Sequence, residues 1–328
     1  MQKKYYLTLD TETCTLPFAN DICKDEKQKQ KIAIAKPLVY DIGWVISDRK
    51  GNIIKKENYL VQETFFVPTV FNTAYYKDKR PVYIDLINKN EIKVDTWRNI
   101  ISILINDLEK VCLSTAYNAC FDFKKAIPFT EKYITNLYST NYNNWEKEQK
   151  KHCLKIIEGK DESKNKDFLI PSFTIREKTF PITDLWTIAC KTLLNNSYYK
   201  NYCLNNNLVS HSIEYFKTSA ETAFQYLLKE HDFIEEHTAL SDAIIESKIL
   251  AKALTKGKVK EEISAFPFKA LGTTVDYVEK KTKYKEKVKS ALFDFLLENN
   301  GFEKMNNGYW ARIVKLYERL ISEDNEVE

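Results

Sequence analysis

The sequence contains three short segments in which carboxylates stand where predicted secondary-structure elements begin or end. Asp10 and Glu12 close a predicted first strand, and because residues two apart in a strand share a face, their carboxylates point the same way. Asp122 follows a short strand and can project from the sheet end that also presents Asp10. Asp242 lies in the first turns of a predicted helix, and His237 precedes that helix on a loop. Like charges held this close need a cation.

Several clustered carboxylates favour Mg²⁺ or Mn²⁺ over zinc, because these ions prefer hard oxygen ligands. Two such ions about 3.5 to 4 Å apart can stabilise both the attacking and the leaving oxygen of an in-line phosphodiester displacement. A nearby histidine can take the proton from the attacking water, since its pKa lies near neutrality. The residue types therefore indicate a metal-dependent nuclease site.

Each segment also has a simpler structural interpretation. An isolated Asp-x-Glu pair is commonly a pair of exposed acids at a sheet edge, and Asp122 alone is typical of a helix N-cap. Asp242 can stabilise a helix N-terminus, with His237 as a surface residue. Asp184, a fourth carboxylate at a strand end, is interpreted as a capping residue. The nuclease interpretation depends on the order and placement of the segments taken together.

In their order, the three segments resemble the motifs of the DnaQ-like 3′–5′ exonucleases of the DEDDh group, within the ribonuclease H-like superfamily. The matching strings are Leu7 to Thr13, Tyr117 to Asp122 and His237 to Ala243, and the resemblance covers roughly residues 4–254. It implies an α/β fold with a ribonuclease H-like mixed sheet, in which a three-strand antiparallel meander plus parallel strands are flanked by helices. Residues 38–61 resemble the family's second and third strands.

The resemblance also implies a role for each matching residue. Asp10, Glu12 and Asp242 are expected to hold the ion that activates water. Asp10 and Asp122 are expected to hold the ion on the leaving-group side, with His237 as the general base. The expected cofactors are thus two Mg²⁺ or Mn²⁺ ions. The residues expected to contact the substrate are Thr11, Thr13, Cys14, Leu16, Asn118 and Phe121.

Two departures from the family pattern concern the substrate cleft. Cys14 and Thr15 follow the first motif at the terminal-nucleotide pocket, where the family often has a small residue or glycine. Asp184 also follows Asp122 at a longer separation than the family leads us to expect. We therefore interpret the polar stretch at about 139–178 as a solvated insertion over or beside the cleft.

The elements that must position these residues alternate between strands and helices, which is typical of an α/β layer architecture. Alternating apolar residues predict the strands, and apolar residues at helical spacing predict the helices. The predicted strands are 4–13, 38–47, 53–61, 112–119 and 180–184. The predicted helices are 96–111, with Asp95 as N-cap, 121–137 and 185–194, and residues 219–230 and 239–254 complete the alternation.

The domain prediction divides the chain after residue 256. Residues 1–256 form the exonuclease domain, which contains the insertion at about 139–178, and residues 257–328 form a mostly helical, lysine-rich appendage. Within the appendage, residues 280–289 hold six lysines and one glutamate. Such a run can bind phosphates through counterion release, although a charge run is more often a solvated helix face.

Composition narrows the class of protein. The chain has 328 residues with 50 Lys and Arg against 46 Asp and Glu, a balance too even to indicate a nucleic-acid partner by itself. No segment approaches the roughly 18 apolar residues of a membrane helix, and the start has no signal-peptide pattern, so we expect a soluble, cytoplasmic protein with no membrane partner. The seven cysteines are scattered, and His152-Cys153 lacks a second ligand pair for zinc.

The hypothesis from the sequence is a 3′–5′ exonuclease that releases nucleoside monophosphates from single-stranded or frayed 3′ ends of DNA. We expect nucleic acid as its partner, with DNA favoured over RNA. If the protein proofreads, a separate DNA polymerase or replication protein is a further expected partner. Roles in repair, degradation or bacteriophage replication stay open. Two alternatives also stay open: an RNA exonuclease of the same group, since no motif reads the 2′-hydroxyl, and a non-catalytic module that binds nucleic acid or protein.

Overall fold

The structure is a computed structural model that describes residues 5–160, 169–210, 215–283, 286 and 290. The chain divides into two compact units, Met1–Leu194 with Thr218–Pro267 and Asn195–Lys217 with Phe268–Glu328. The second unit therefore takes in a segment that lies well before the predicted boundary. The strands are β1 (Tyr6–Cys14), β2 (Leu38–Ser47), β3 (Ile53–Val61), β4 (Lys93–Asp95), β5 (Leu113–Ala116), β6 (Ser172–Ile175) and β7 (Lys178–Asp184).

The helices range from single turns to seventeen residues. They are α1 (Ala19–Ile22), α2 (Glu26–Ala35), α3 (Gln62–Phe65), α4 (Pro68–Phe71), α5 (Arg80–Asn88), α6 (Trp97–Leu108), α7 (Ala119–Phe121), α8 (Ile127–Leu137), α9 (Tyr142–Ile157), α10 (Leu185–Ile188), α11 (Ser197–Asn205), α12 (Ala220–Leu228) and α13 (Ala239–Thr255). Segments Asp122–Ala126 and Ala189–Leu194 are π-helical, and Lys77–Lys79 and Pro267–Leu271 are 3₁₀ turns. Within the described ranges, no helix combines the length and apolar character that a membrane span needs.

The strands form one sheet in the order β4-β3-β2-β1-β5-β7-β6. β1, β2 and β3 are antiparallel neighbours and form the predicted meander, whereas β5 is parallel to both β1 and β7. An antiparallel meander continued by parallel strands beside β1 is the arrangement of a ribonuclease H-like sheet, so the predicted fold class is confirmed. β4 and β6, which were not predicted, extend the sheet at its two edges.

Helices cover both faces of the central strands. Trp44 of β2 points towards α6, where its indole Nε1 donates a hydrogen bond to Oδ2 of Asp107 at 3.0 Å. Its neighbour Gly43 faces the opposite way, towards the start of α13. Leu7 and Leu9 of β1 belong to the buried core that α6 and α8 cover. Because side chains alternate along a strand, the residues between these leucines face the α13 side.

The helix predicted at 96–111 is observed as α6, with a corrected start. Thr96 is the N-cap, and its side chain accepts the backbone N–H of Asn99. Asp95, predicted as the cap, instead accepts the backbone N–H of Thr96 at 2.7 Å and the side-chain amide of Asn99 at 2.9 Å. Its carboxylate therefore supports the helix start from one residue before the N-cap.

The polar stretch at about 139–178 contains a packed helix, so the prediction of a solvated insertion is wrong for α9. The helix buries four side chains at helical spacing, Trp145, Gln149, Cys153 and Ile156. It packs against α2 and α8, and the Trp145 ring lies 5.8 Å from that of Tyr133 on α8. The buried stripe is narrow and the remaining residues are mostly Lys, Glu and Asn, so the apolar period is weak in the sequence. Residues 161–168 lie outside the described residues.

The second unit is built around α11 and the segment that follows residue 267. Tyr215 forms an antiparallel bridge with Thr273, and its ring packs edge-on against Phe268 with centroids 4.8 Å apart. Part of the predicted lysine run, at 284–285 and 287–289, lies outside the described residues, as do residues 291–328. The helical character predicted for that part stays a prediction.

Candidate active site

The C-terminal half of β1 carries Asp10 and Glu12 on one face of the sheet. In the antiparallel pairing with β2, Asp10 lies opposite Gly43 and Glu12 lies opposite Asp41. The register shifts directly after Glu12, which marks a β-bulge at the end of the site. Cross-strand partners share a face, and Gly43 faces α13, so both carboxylates lie on the α13 side. Both remain partly exposed, so a cation from solvent can reach them.

The N-terminus of α13 sits directly on β2. A Cβ atom at Gly43 would lie 2.3 Å from the backbone N of Leu240 and 2.6 Å from the carbonyl carbon of Ala239, so only glycine permits this approach. Oδ2 of Asp41 accepts the backbone N–H of Ala239 at 2.9 Å and the hydroxyl of Tyr83 at 3.0 Å. These contacts fix the first turn of α13 over the strand that pairs with β1.

Asp122 reaches the same site from the end of β5. It begins the π-helical segment after α7, and the hydroxyl of Thr11 donates to its Oδ1 at 2.6 Å, which ties β1 to this turn. Asp184 is the cap that the sequence predicts, since its Oδ2 accepts the backbone N–H of Thr187 at 2.8 Å. Its Oδ1 also accepts the backbone N–H of Ala119 at 3.0 Å. Asp184 thus supports the turn that presents Asp122.

A fifth carboxylate belongs to the site and is absent from the sequence prediction. Glu246 lies four residues after Asp242, so both project from the same face of α13. It is 2% exposed, and its Oε2 accepts the backbone N–H of Tyr117 at 3.1 Å. The i+4 spacing from a predicted ligand is the sequence signal that identifies it. The acidic cluster is defined here as Asp10, Glu12, Asp122, Asp242 and Glu246.

Burial raises the pKa of every carboxyl group in the acidic cluster. It raises the pKa of Asp122 to about 7 and that of Asp242 to about 8. At Asp10, the charges of Asp122, Glu246, Asp242 and Glu12 raise the pKa further, in decreasing order. Clustered carboxylates of this kind ionise together only when a cation accompanies them.

The donor atoms fit a divalent cation. Carboxylate oxygens of Glu12 and Asp242 and a ring nitrogen of His237 all lie within 4.8 Å of one another. Asp10, Asp122 and Glu246 fall outside this tight group, although Asp122 is the charged neighbour that raises the pKa of Asp10 most. Within the described part of the chain, no protein group donates a hydrogen bond to the carboxylates of Asp10 or Glu12. Carboxylate oxygens that accept no hydrogen bond from the protein are available to bind Mg²⁺ or Mn²⁺.

His237 stands beside Glu12 on the loop before α13. Its backbone has a φ of 50°, and its ring stacks on that of Tyr76 with centroids 4.7 Å apart and planes 16° apart. Burial, and then the charge of Lys79, lower the pKa of His237, so the imidazole is neutral near pH 7. Lys79 also lies over the Tyr76 ring, 4.7 Å from its centroid. Both residues come from the segment between β3 and β4, where no local sequence pattern indicates a role in the site.

The residues predicted to contact the substrate fall into two groups. The partly or fully exposed ones are Thr13, Asn118 and Phe121. Thr11 is buried, and its hydroxyl is used by Asp122. Cys14 and Leu16 are buried in the core, and Sγ of Cys14 donates to the carbonyl of Leu38 at 3.3 Å. The prediction is corrected for these two side chains, because β1 continues to Cys14 and turns both of them into the core.

The comparisons with known proteins contribute a distant structural likeness. No protein-family model and no curated protein sequence matches the chain. Among solved structures, the chain is similar to Pop2p of S. pombe in its Mg²⁺- and Mn²⁺-bound form, at 15% sequence identity and a TM-score of 0.38. The alignment covers 78% of this chain and 86% of that chain. The geometry of the site therefore carries the functional assignment.

Proposed function

We propose that this protein is a divalent-metal-dependent 3′–5′ exonuclease that hydrolyses phosphodiester bonds at single-stranded or frayed 3′ ends of DNA. The observation that carries the proposal is the acidic cluster at the end of β1, with His237 beside Glu12 and Asp242. Clustered carboxylate charges destabilise a fold unless a cation binds between them. A purely structural role therefore does not explain why the carboxylates of the acidic cluster lie together. The exonuclease class and the release of nucleoside monophosphates follow the resemblance of the three motifs.

The carboxylates would hold two Mg²⁺ or Mn²⁺ ions. Glu12 and Asp242 would hold one ion and Asp122 the other, with Asp10 shared between them. When bound, the ions supply charge stabilisation for the attacking and leaving oxygens of the scissile phosphate. The protein contributes fixed ligand positions: Thr11 holds Asp122 through a 2.6 Å hydrogen bond, and the seating of α13 on β2 holds the helix that carries Asp242.

His237 would act as the general base that takes a proton from the attacking water. Its lowered pKa keeps the imidazole neutral at pH 7 to 8, the form that accepts a proton. Oε2 of Glu235 lies 3.6 Å from Nδ1 of His237, which favours the proton on Nδ1 and leaves Nε2 as the acceptor. The stacked Tyr76 ring limits rotation of the imidazole, one of whose nitrogens lies within 4.8 Å of the Glu12 and Asp242 oxygens.

The test is a digestion of single-stranded DNA and RNA oligonucleotides of the same sequence, labelled at the 5′ end, with Mn²⁺, Mg²⁺ or EDTA. We expect a ladder that shortens one nucleotide at a time from the 3′ end of DNA, release of nucleoside monophosphates, and no cutting in EDTA. A circular single-stranded DNA is the matched control, because an exonuclease leaves a substrate without ends intact.

The same assay separates the alternatives. Faster turnover of the RNA oligonucleotide assigns the protein to RNA. Cutting of the circular DNA makes it an endonuclease. Binding of either oligonucleotide by fluorescence anisotropy, without cutting in Mn²⁺, would replace the proposal with a non-catalytic binding module.

A further inference from the structure

Glu246 has the surroundings of a ligand more than those of a structural side chain. It is 2% exposed, and among the described residues its carboxylate has one partner, the backbone N–H of Tyr117 at 3.1 Å. The oxygen of a neutral glutamine could also accept that hydrogen bond, so the contact does not require a charge. Burying an ionised carboxylate with a single neutral donor is costly unless a cation is also present.

A second buried glutamate shows what satisfaction by the protein looks like. Glu57 is 8% exposed, and Nζ of Lys55 lies 2.9 Å from its Oε1. Its Oε2 accepts the hydroxyl of Tyr59 at 2.6 Å and the ammonium of Lys93 at 2.9 Å. Glu246 uses only Oε2 in this way and leaves Oε1 without a hydrogen bond in the described part of the chain. Oε1 therefore has no donor among the described residues, and the nearby charges that act on Glu246 most are those of Asp122 and Asp242.

The position of Glu246 links it to the Asp122 side of the site. Tyr117 directly follows β5, in the turn that leads to Asp122, so the side chain reaches from α13 to that turn. The carboxylates of Asp122 and Asp242 are the charged groups that most raise the pKa of Glu246, and Glu246 in turn acts on Asp10.

We propose that Glu246 is a fifth carboxylate ligand of the metal centre and binds the ion that Asp10 and Asp122 share. The proposal rests on the proposed function only in requiring a divalent cation. It adds a ligand that the three motifs do not contain. It also divides the ligands into two sets, with Glu12 and Asp242 on one side and Asp122 and Glu246 on the other.

The first experiment measures Mn²⁺ binding by titration calorimetry of the full chain. Glu246→Gln keeps an acceptor for the Tyr117 N–H and removes the charge, and Glu63→Gln is the matched control at a buried glutamate outside the acidic cluster. We expect two Mn²⁺ ions in the unaltered chain and in Glu63→Gln. In Glu246→Gln, one of the two should bind at least about tenfold more weakly.

Glu246→Ala separates the charge from the hydrogen bond. If Glu246→Gln binds both ions like the unaltered chain and only Glu246→Ala is weakened, Glu246 is merely an acceptor for a backbone N–H and the proposal is overturned. A parallel digestion of labelled DNA keeps the two proposals apart. Cutting by the unaltered chain together with unchanged Mn²⁺ binding in Glu246→Gln rejects the fifth ligand alone, whereas weakened binding without any cutting rejects the nuclease alone.

A second measurement needs no variant. Crystals of the unaltered chain grown with MnCl₂ locate each ion by anomalous scattering, even if Glu246→Gln fails to fold. A Mn²⁺ ion within about 2.5 Å of a Glu246 oxygen supports the proposal. Two ions that are both bound without contact to Glu246 overturn it.

Discussion

Two groups of carboxylates lie on opposite sides of the sheet, and they are neutralised in different ways. On the α6 side, the lysine-paired acids, Glu57 and Asp107, share Lys55, whose Nζ lies 2.9 Å from Glu57 and forms an ion pair with Asp107. Lys93 adds a second ion pair to Glu57 at 2.9 Å, and Trp44 donates its indole N–H to Asp107. The acidic cluster on the α13 side has no such set of ion pairs among the described residues.

The pKa directions express this difference. Burial raises the pKa of Glu57, but hydrogen bonds from Lys93, Tyr59 and Lys55 outweigh it and keep the pKa below its ordinary value. In the acidic cluster, the charge of Lys79 lowers the pKa of Glu12 and Asp242, yet both stay well above the ordinary range. The chain therefore supplies the counter-charge for the lysine-paired acids, whereas the acidic cluster is neutralised from solvent, by protons or, as we propose, by metal ions.

Removal of a carboxylate from the acidic cluster should have the largest effect. We expect Asp10→Ala and Asp242→Ala each to abolish Mn²⁺-stimulated hydrolysis, because each removes a ligand that the other acids do not replace. The measurement is the release of nucleotides from 5′-labelled single-stranded DNA. Full activity in both variants would discard the assignment of the site.

Asp107→Asn is the matched control from the other group. It removes a charge that Lys55 and Trp44 contact, so it should lower the unfolding temperature and leave the turnover of the folded molecules unchanged. A loss of Mn²⁺ response in this variant would show that the two groups are coupled and that the comparison between them is wrong.

His237→Ala should reduce kcat by about 10²- to 10⁴-fold while Mn²⁺ affinity stays nearly unchanged, because the residue is proposed to move a proton. Single-turnover digestion gives the rate, and calorimetry gives the affinity. The ring nitrogen lies within 4.8 Å of the Glu12 and Asp242 oxygens, so geometry alone also allows a ligand. A large loss of Mn²⁺ affinity would instead assign His237 as a metal ligand.

Gly43→Ala tests whether the close approach of α13 to β2 positions the acidic cluster. The added Cβ would lie 2.3 Å from the backbone N of Leu240, so the helix that carries Asp242 must shift. A displacement of about 1 Å at a catalytic centre can cost about 10²-fold in kcat, which is the loss we expect.

Gly159→Ala is the control for a glycine substitution. Its backbone φ is 73°, and an added Cβ would meet no atom within 4 Å, so it should cost about 1 kcal/mol of stability without changing kcat. Equal kcat values for both variants would mean that the approach of α13 to Gly43 does not position the site.

The sequence predicts those parts of the site that depend on local spacing. The period of two in β1 correctly puts Asp10 and Glu12 on one face, and the alternation of strands and helices predicts the central sheet. Gly43, inside an apolar strand, is itself a signal that another backbone approaches closely. The prediction was wrong for Cys14 and Leu16, because the motif does not show where β1 ends. The end of β1 decides whether the side chains that follow face the cleft or the core.

Parts of the site that depend on long-range packing were not predicted. Tyr76 and Lys79 reach His237 from a segment of short helices between β3 and β4, and their own neighbours in the sequence give no period or motif. α9 was not predicted for a different reason. Its four buried side chains recur at helical spacing, but one of them is Gln149 and the rest of the helix is mostly polar, so the apolar period is weak. Glu246 carries a local signal, its i+4 spacing from Asp242, although the family motifs end before it.

Tyr76 should have a smaller effect, because it acts on the orientation of His237 alone. We expect Tyr76→Ala to lower kcat by about tenfold and Tyr76→Phe to restore nearly full activity, since phenylalanine keeps the stacked ring. Tyr75→Ala is the matched control, because Tyr75 is 82% exposed and contacts Tyr76 edge-on. Equal losses in Tyr76→Phe and Tyr76→Ala would show that the hydroxyl group is used instead of the stack.

The last prediction concerns thermal stability instead of turnover and tests the comparison most directly. Folding raises the pKa of Asp122 to about 7 and that of Asp242 to about 8, from ordinary values near 4. A raised carboxyl pKa contributes stability that is complete below pH 4 and is lost as the pH rises through 7 to 8. In EDTA, the unfolding temperature should therefore fall between pH 5 and pH 8.5.

Glu57 should show the opposite dependence, because its lowered pKa contributes stability that is present above about pH 4.5 and disappears only in more acidic solution. Mn²⁺ should raise the unfolding temperature more at pH 8.5 than at pH 5, since it must displace protons from the acidic cluster at the lower pH. Asp122→Asn should flatten the pH dependence in EDTA, whereas Lys55→Met should lower the unfolding temperature at both pH values without rescue by Mn²⁺. An unfolding temperature that rises from pH 5 to pH 8.5 in EDTA would mean that the protein already neutralises the acidic cluster, as it does the lysine-paired acids.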